Sequence, residues 1–100
     1  MRIYIAGPMT GRVDLNIEEF HNAKDHLEKQ FGPNVEILIP HYFGTIDKVP
    51  MIDIIRFDLM VVTTVDCVYM LKGWENSKGA STEHAVATWC GKRIVYQSSN

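Results

Sequence analysis

Short apolar runs alternate with longer stretches of helical period along this chain. Ile3-Tyr4-Ile5-Ala6 is a β-prone run stopped by Gly7-Pro8, and it predicts a first strand. Asn16 stands where a helix N-cap is expected, with Glu19 three residues on to complete a capping box. Leu15 and Phe20 occupy the positions of a hydrophobic staple around the same boundary. Phe20, Ala23, Leu27 and Phe31 then recur at helical spacing until Gly32-Pro33 ends the period. Val35–Ile39 predicts a second strand closed by Pro40, and residues 41–49, which carry no clear period, read as loop. Ile54, Ile55, Leu59 and Val62 predict a second helix from about Met51 to Thr64, although its β-branched residues favour helix only weakly. Asp66–Leu71 reads as a third strand buried on both faces. Ala80–Cys90 has alanine-rich helical spacing and is followed by Gly91, a natural C-terminal cap residue. Arg93–Tyr96 predicts the last strand, and residues 97–100 a frayed tail.

This β-α-β-α-β-α-β alternation predicts a three-layer α/β fold: a four-stranded parallel sheet with helices on both faces. Right-handed crossovers and doubly wound connectivity give the strand order 2-1-3-4. A chain of 100 residues is filled by one such domain, expected over residues 1–100. Ligands of such sheets bind beyond the carboxyl ends of the strands where the winding reverses, here between strands one and three. The loops leaving those strands are Gly7-Pro8-Met9-Thr10-Gly11-Arg12 and Lys72-Gly73-Trp74-Glu75-Asn76-Ser77-Lys78-Gly79. Both are rich in glycine and hydrogen-bonding groups, as binding loops are.

Charge and composition narrow the class of partner. A formal charge of −2, with basic residues scattered along the chain, gives no electrostatic footprint for nucleic acid. No apolar run is long enough to cross a bilayer, and Met1–Ile5 is too short and too quickly punctuated for a signal peptide. Cys67 and Cys90 fall in apolar stretches and read as reduced core thiols, so the chain is expected in the cytoplasm. His21 and His26 are five apart while His41 and His84 stand alone, which is no metal spacing. No cysteine–histidine or serine–histidine pattern suggests a hydrolytic triad, and no metal or other cofactor is expected.

Among the polar residues, Glu83 is the most informative. About one turn inside the third helix, its side chain leans toward the helix N-terminus and so toward the crevice. There it serves either as an ionised group for chemistry on a ligand, or simply as a carboxylate favoured by the helix dipole. Asp58 in the second helix reaches the crevice only if that helix packs close, and Asp66 opens the third strand at the end opposite the site, where a structural role is expected. Gly7–Arg12 has the composition of a phosphate-binding turn without being a Walker or dinucleotide motif. Ser77 is placed to cap the third helix beside an anion. Trp74 either stacks on a planar base or covers the end of the sheet.

The strings IYIAGPMTG and VDCVYMLKGWENSKGASTEHAVA resemble the small nucleoside 2-deoxyribosyltransferase-like domains of bacteria and phages, a superfamily that includes deoxynucleoside 5′-monophosphate N-glycosidases. The likeness runs over nearly the whole chain, with GWENSKGASTEH its most specific part, and implies a Rossmann- or flavodoxin-like fold. It implies that Glu83, after the Ser77–Gly79 turn, is a nucleophile, that Tyr4 lies at the site, and that Asp58 assists with the base. It also implies that the first loop, with Gly7, Pro8, Met9, Gly11 and Arg12, binds the sugar's 5′ end or phosphate, leaving Trp74, Ser77 and Gly79 across the crevice. The loop carrying Trp74 is longer here than in the characterised enzymes.

The expected partner is a small nucleoside or nucleotide, and the expected reaction is cleavage or exchange of its N-glycosidic bond through a glycosyl-enzyme ester. A module that binds or sequesters a nucleotide without turnover is the alternative, distinguished by needing no nucleophile beside C1′. The exposed edge of a small sheet also predicts a homo-oligomer.

Overall fold

A computed structural model gives the fold of the chain, and it describes residues 1–9, 11–40 and 50–98. The elements are β1 (Arg2–Ala6), α1 (Ile17–Phe31), β2 (Glu36–Leu38), α2 (Met51–Thr64), β3 (Cys67–Met70), α3 (Lys78–Trp89) and β4 (Arg93–Tyr96). Short 3₁₀ turns at Val13–Asn16 and Trp74–Asn76 lead into α1 and α3. The four strands form one parallel sheet in the order 2-1-3-4, as the alternation predicts. The loop expected over residues 41–49 lies outside the described residues.

The pleat of β1 sorts its side chains between two cores. Ile3 and Ile5 face α1 with Phe20, Ala23 and Leu27, whereas Tyr4 and Ala6 face the other layer with Val62 of α2 and Ala80 and Ala87 of α3. Central β1 and β3 are almost wholly buried, while β2 and β4 form the edges. That pattern explains why the central strands read as continuous apolar runs.

Three local expectations change. Asn16 does stand at the N-cap of α1, but in the left-handed region at φ 67°, and its side chain makes no cap. Instead its Nδ2 donates to the Pro8 carbonyl at 3.0 Å, so the capping box is not formed and the residue ties α1 to the first loop. Asp14 and Leu15 share the positive φ, and this reversed turn is what turns the Asn16 side chain back. Cys67 is buried as expected, but Cys90 lies exposed at the end of α3, beyond the helix turns that face the sheet. Gln97 is not frayed: its amide donates to Met70 O at 2.8 Å and its Oε1 accepts from Lys72 N at 2.8 Å, extending the β3–β4 pairing.

Candidate active site

Three polar side chains meet in the layer between the sheet and helices α2 and α3. Tyr4 from β1, Asp58 from α2 and Glu83 from α3 are 0%, 2% and 4% exposed. The Tyr4 hydroxyl donates to Glu83 Oε2. Asp58 and Glu83 are the two buried charged residues among those described. Ala80 and Ala87, one turn on either side of Glu83, let α3 settle closely on the sheet, so the carboxylate reaches a tyrosine in the central strand. At Gly79 an added Cβ would lie 3.3 Å from Ile55 Cδ1, so this glycine lets the first turn of α3 approach α2.

Burial dominates the electrostatics. It pushes the Glu83 carboxyl up from 4.5 to about 8; the hydrogen bond from Tyr4 pulls it down and the nearby Asp58 charge pushes it up. The Tyr4 phenol is held well above its ordinary value by burial first, and then by the charges of Glu83 and Asp58. Two carboxylates so close and so dry do not both ionise cheaply. A proton is therefore resident in this cluster near neutral pH.

The loops above the cluster touch. Arg12 crosses from the first loop, and a Cβ built on Gly73 would lie 2.7 Å from Arg12 Nη2. Gly73 also has φ +86°, so the backbone there favours glycine, whereas the Arg12 guanidinium is the end of a flexible side chain that can move aside. Gly7 and Pro8 are buried at the end of β1, Met9 packs on the α1-side core, and Gly11 is exposed at φ 81°. Arg12 N donates to Met9 O at 3.1 Å, and Thr10 lies outside the described residues. Across the crevice, Ser77 Oγ accepts from Ala80 N at 3.2 Å and caps α3 as expected.

An added Cβ at Gly7 would lie 2.7 Å from both Cβ and Cδ1 of buried Leu71, so β1 and the end of β3 pack in contact there. Gly7→Ala is expected to destabilise the fold by about 1–3 kcal/mol through overpacking, read as a lower midpoint in urea unfolding. An unchanged midpoint would mean that Leu71 yields freely and that Gly7 is not needed for packing.

Trp74 does not present two open faces. Its ring stacks on His84 with centroids 4.2 Å apart at 21°, and His84 Nε2 lies 2.8 Å from the Tyr96 hydroxyl. The tryptophan thus joins the start of α3 to the end of β4 and covers the sheet beside the site. The pairing of His84 with Tyr96 was not legible in the sequence, since the two are twelve residues apart on different elements and form no motif. Asp66 takes the structural role expected of it, its Oδ2 accepting from Arg2 N at 2.9 Å at the amino end of the sheet.

A family profile described as Domain of unknown function (DUF4406) matches residues 1–96. The chain belongs to the DUF4406 family. A search of curated proteins found no match for this DUF4406 chain. Among solved structures, it is similar to the 2-desoxiribosyltransferase from Leishmania mexicana, with a TM-score of 0.71 and 26% identity. That likeness covers 99% of the DUF4406 chain, which spans 65% of the length of the Leishmania protein. The DUF4406 chain therefore carries a deoxyribosyltransferase-like fold. Among the described residues no group of His, Cys, Asp and Glu is arranged to hold a metal, and no helix is long and apolar enough to cross a membrane.

Proposed function

We propose that this chain cleaves or exchanges the N-glycosidic bond of a (deoxy)nucleoside or its 5′-monophosphate. The observation that carries the reading is the buried Tyr4–Glu83–Asp58 cluster, lying beneath two glycine-bearing loops in a deoxyribosyltransferase-like fold. A fold needs no such cluster for stability, because burying paired carboxylates is costly. A site that must both attack a sugar carbon and protonate a leaving base does need it.

In this reading the proton resident in the cluster sits on Asp58 when substrate is bound, leaving Glu83 ionised and oriented by the Tyr4 hydroxyl. A Glu83 carboxylate oxygen attacks C1′ as the C1′–N bond breaks. The bonding pair leaves with the base, which takes the Asp58 proton. Water, deprotonated by the Asp58 carboxylate, then hydrolyses the glycosyl ester, or a second base intercepts it. The Arg12 guanidinium, with the amides at the start of α3, receives the 5′ end of the sugar and favours a phosphate there.

The test is incubation with a panel of nucleosides and 5′-monophosphates, followed by chromatography for free base. Base release is expected, and Arg12→Ala is expected to raise KM for a monophosphate about tenfold or more while changing the matching nucleoside little. Equal effects on both substrates would remove the phosphate assignment and leave the glycosidic chemistry. Tight nucleotide binding with no base released from any substrate would favour a binding module instead.

A further inference from the structure

Helix α3 carries Glu83, yet it has little apolar bulk with which to grip the sheet. Its buried residues are Ala80, Glu83 and Ala87, and Val86 is only partly buried. The two alanines let the helix lie close, but they fill no deep hole in the layer below. A helix seated on such small faces turns or slides by a fraction of an ångström at little loss of packing. For a carboxylate that must meet a carbon atom in line, a displacement of that size matters. The height and rotation of Glu83 therefore depend on something besides apolar packing.

Two tyrosines supply that constraint. Tyr4 on β1 donates its hydroxyl to Glu83, and the Tyr96 hydroxyl on β4 lies 2.8 Å from Nε2 of His84, the next residue along the helix. In the strand order 2-1-3-4 these two strands flank β3 on opposite sides. Tyr4 is in register with Val68 and Tyr96 with Met70, and both of those β3 residues face the layer that holds α3. The two hydroxyls thus rise from one face of the sheet and hold adjacent side chains, which leave the helix about 100° apart. One grip alone leaves the helix free to pivot about it; a second, on another strand, removes that freedom. Trp74 confines His84 further, its ring stacked on the imidazole at 4.2 Å and tilted against the Tyr96 ring at 6.1 Å. The Trp74 carbonyl in turn accepts from Ser77 N at 3.0 Å and from Ser81 Oγ at 3.3 Å. The imidazole is thereby held between β4 and a turn fastened to α3 itself.

We propose that His84 and Tyr96 are positioning residues for the reaction at C1′, their contact fixing the turn of α3 that carries Glu83 so that its carboxylate meets the sugar in line. The proposal rests on the glycosidic reading of the Glu83 site, and it gives His84 and Tyr96 no contact with substrate and no proton to move. A plain cover over the end of the sheet would need the rings but not the Tyr96 hydroxyl, and that difference is what the experiment uses.

Tyr96→Phe keeps the ring and deletes the hydroxyl. Tyr69→Phe deletes a hydroxyl from the opposite face of β3 and serves as the control. Base release is measured for wild type and both variants, and the Glu83 carboxyl is followed by NMR of its labelled carbon as pH is raised without substrate. Tyr96→Phe is expected to lower kcat at least about tenfold while changing KM less than about twofold, because substrate still binds but Glu83 is misaimed. Tyr4 and Asp58, which act on the Glu83 carboxyl, are the same in all three proteins. Burial is the largest influence on that carboxyl, so a loosened helix turn is expected to bring its midpoint down from about 8 toward 4.5 in Tyr96→Phe. Tyr69→Phe is expected to match the wild type in both measurements. A kcat or a midpoint in Tyr96→Phe equal to wild type overturns the proposal, and so does an equal change in Tyr69→Phe. If the wild type releases no base from any substrate, the glycosidic reading fails by itself and the midpoint decides alone. Lowered in Tyr96→Phe but not in Tyr69→Phe, it upholds the hold of His84 and Tyr96 on Glu83; unchanged, it overturns it.

Discussion

Replacing Glu83 with Gln is expected to lower base release by at least about a thousandfold, some 4 kcal/mol of transition-state stabilisation, while the protein remains folded. Gln keeps the size of the side chain and still offers an oxygen to the Tyr4 hydroxyl, but it cannot form the glycosyl ester. The raised position of the Glu83 carboxyl adds a diagnostic. Because Glu83 attacks ionised while the cluster still holds one proton for the leaving base, wild-type turnover is expected to fall as pH rises through about 8 and that proton is lost. Asp58→Asn is expected to slow release most for bases that leave poorly, and least for those that need little protonation. The measurement is free base released per enzyme across that pH range, with folding checked by thermal melting. Turnover in Glu83→Gln equal to wild type would remove Glu83 from the mechanism.

The site's location was legible before its internal geometry. Alternating elements and the right-handed crossover rule dictate the 2-1-3-4 order, and that order alone brings the loops after β1 and β3 together. Helical lean explains why Glu83 points into the layer. What the one-dimensional pattern lacked was distance between elements. Asp58 is separated from Glu83 by 25 positions and belongs to another helix, so its part in the cluster depends on how tightly α2 and α3 pack. That packing is set by Gly79 against Ile55 and by the small faces of Ala80 and Ala87, which local propensity does not weigh. The resemblance to the deoxyribosyltransferase-like domains is what marked Asp58 and Tyr4. Asn16 shows the opposite failure. Its spacing to Glu19 fits a capping box, yet a tertiary hydrogen bond to Pro8 outweighs the local one and takes the backbone into the left-handed region. Trp74 was ambiguous for a third reason, because its stacking partner His84 is held by Tyr96 at the end of β4, on another element.

A buried acid at the heart of the molecule also fixes how stability responds to pH. The Glu83 carboxyl titrates near 4.5 in an unfolded chain and near about 8 in the folded one. The folded state therefore binds this proton more tightly, and stability must fall as pH rises through the interval between them. The contribution is fully present below about 4.5 and is lost as pH climbs through about 8. Its size is on the order of a few kcal/mol, a substantial part of what holds a small domain together. Tyr4, raised further above its ordinary value, stays protonated in both states over this window and adds no slope. Urea unfolding of wild type and Glu83→Gln at intervals between pH 5 and pH 8 isolates the effect, because every other titrating group is shared by the two proteins. The difference in stability is expected to shift in favour of Glu83→Gln as pH rises, with the variant losing little across the range where the wild type loses most. Parallel curves for the two proteins would mean that Glu83 titrates alike folded and unfolded, and that its burial exerts no pull on its proton. A protein built this way holds its proton, its stability and its leaving-group acid over the same pH range, and loses all three together as pH rises through about 8.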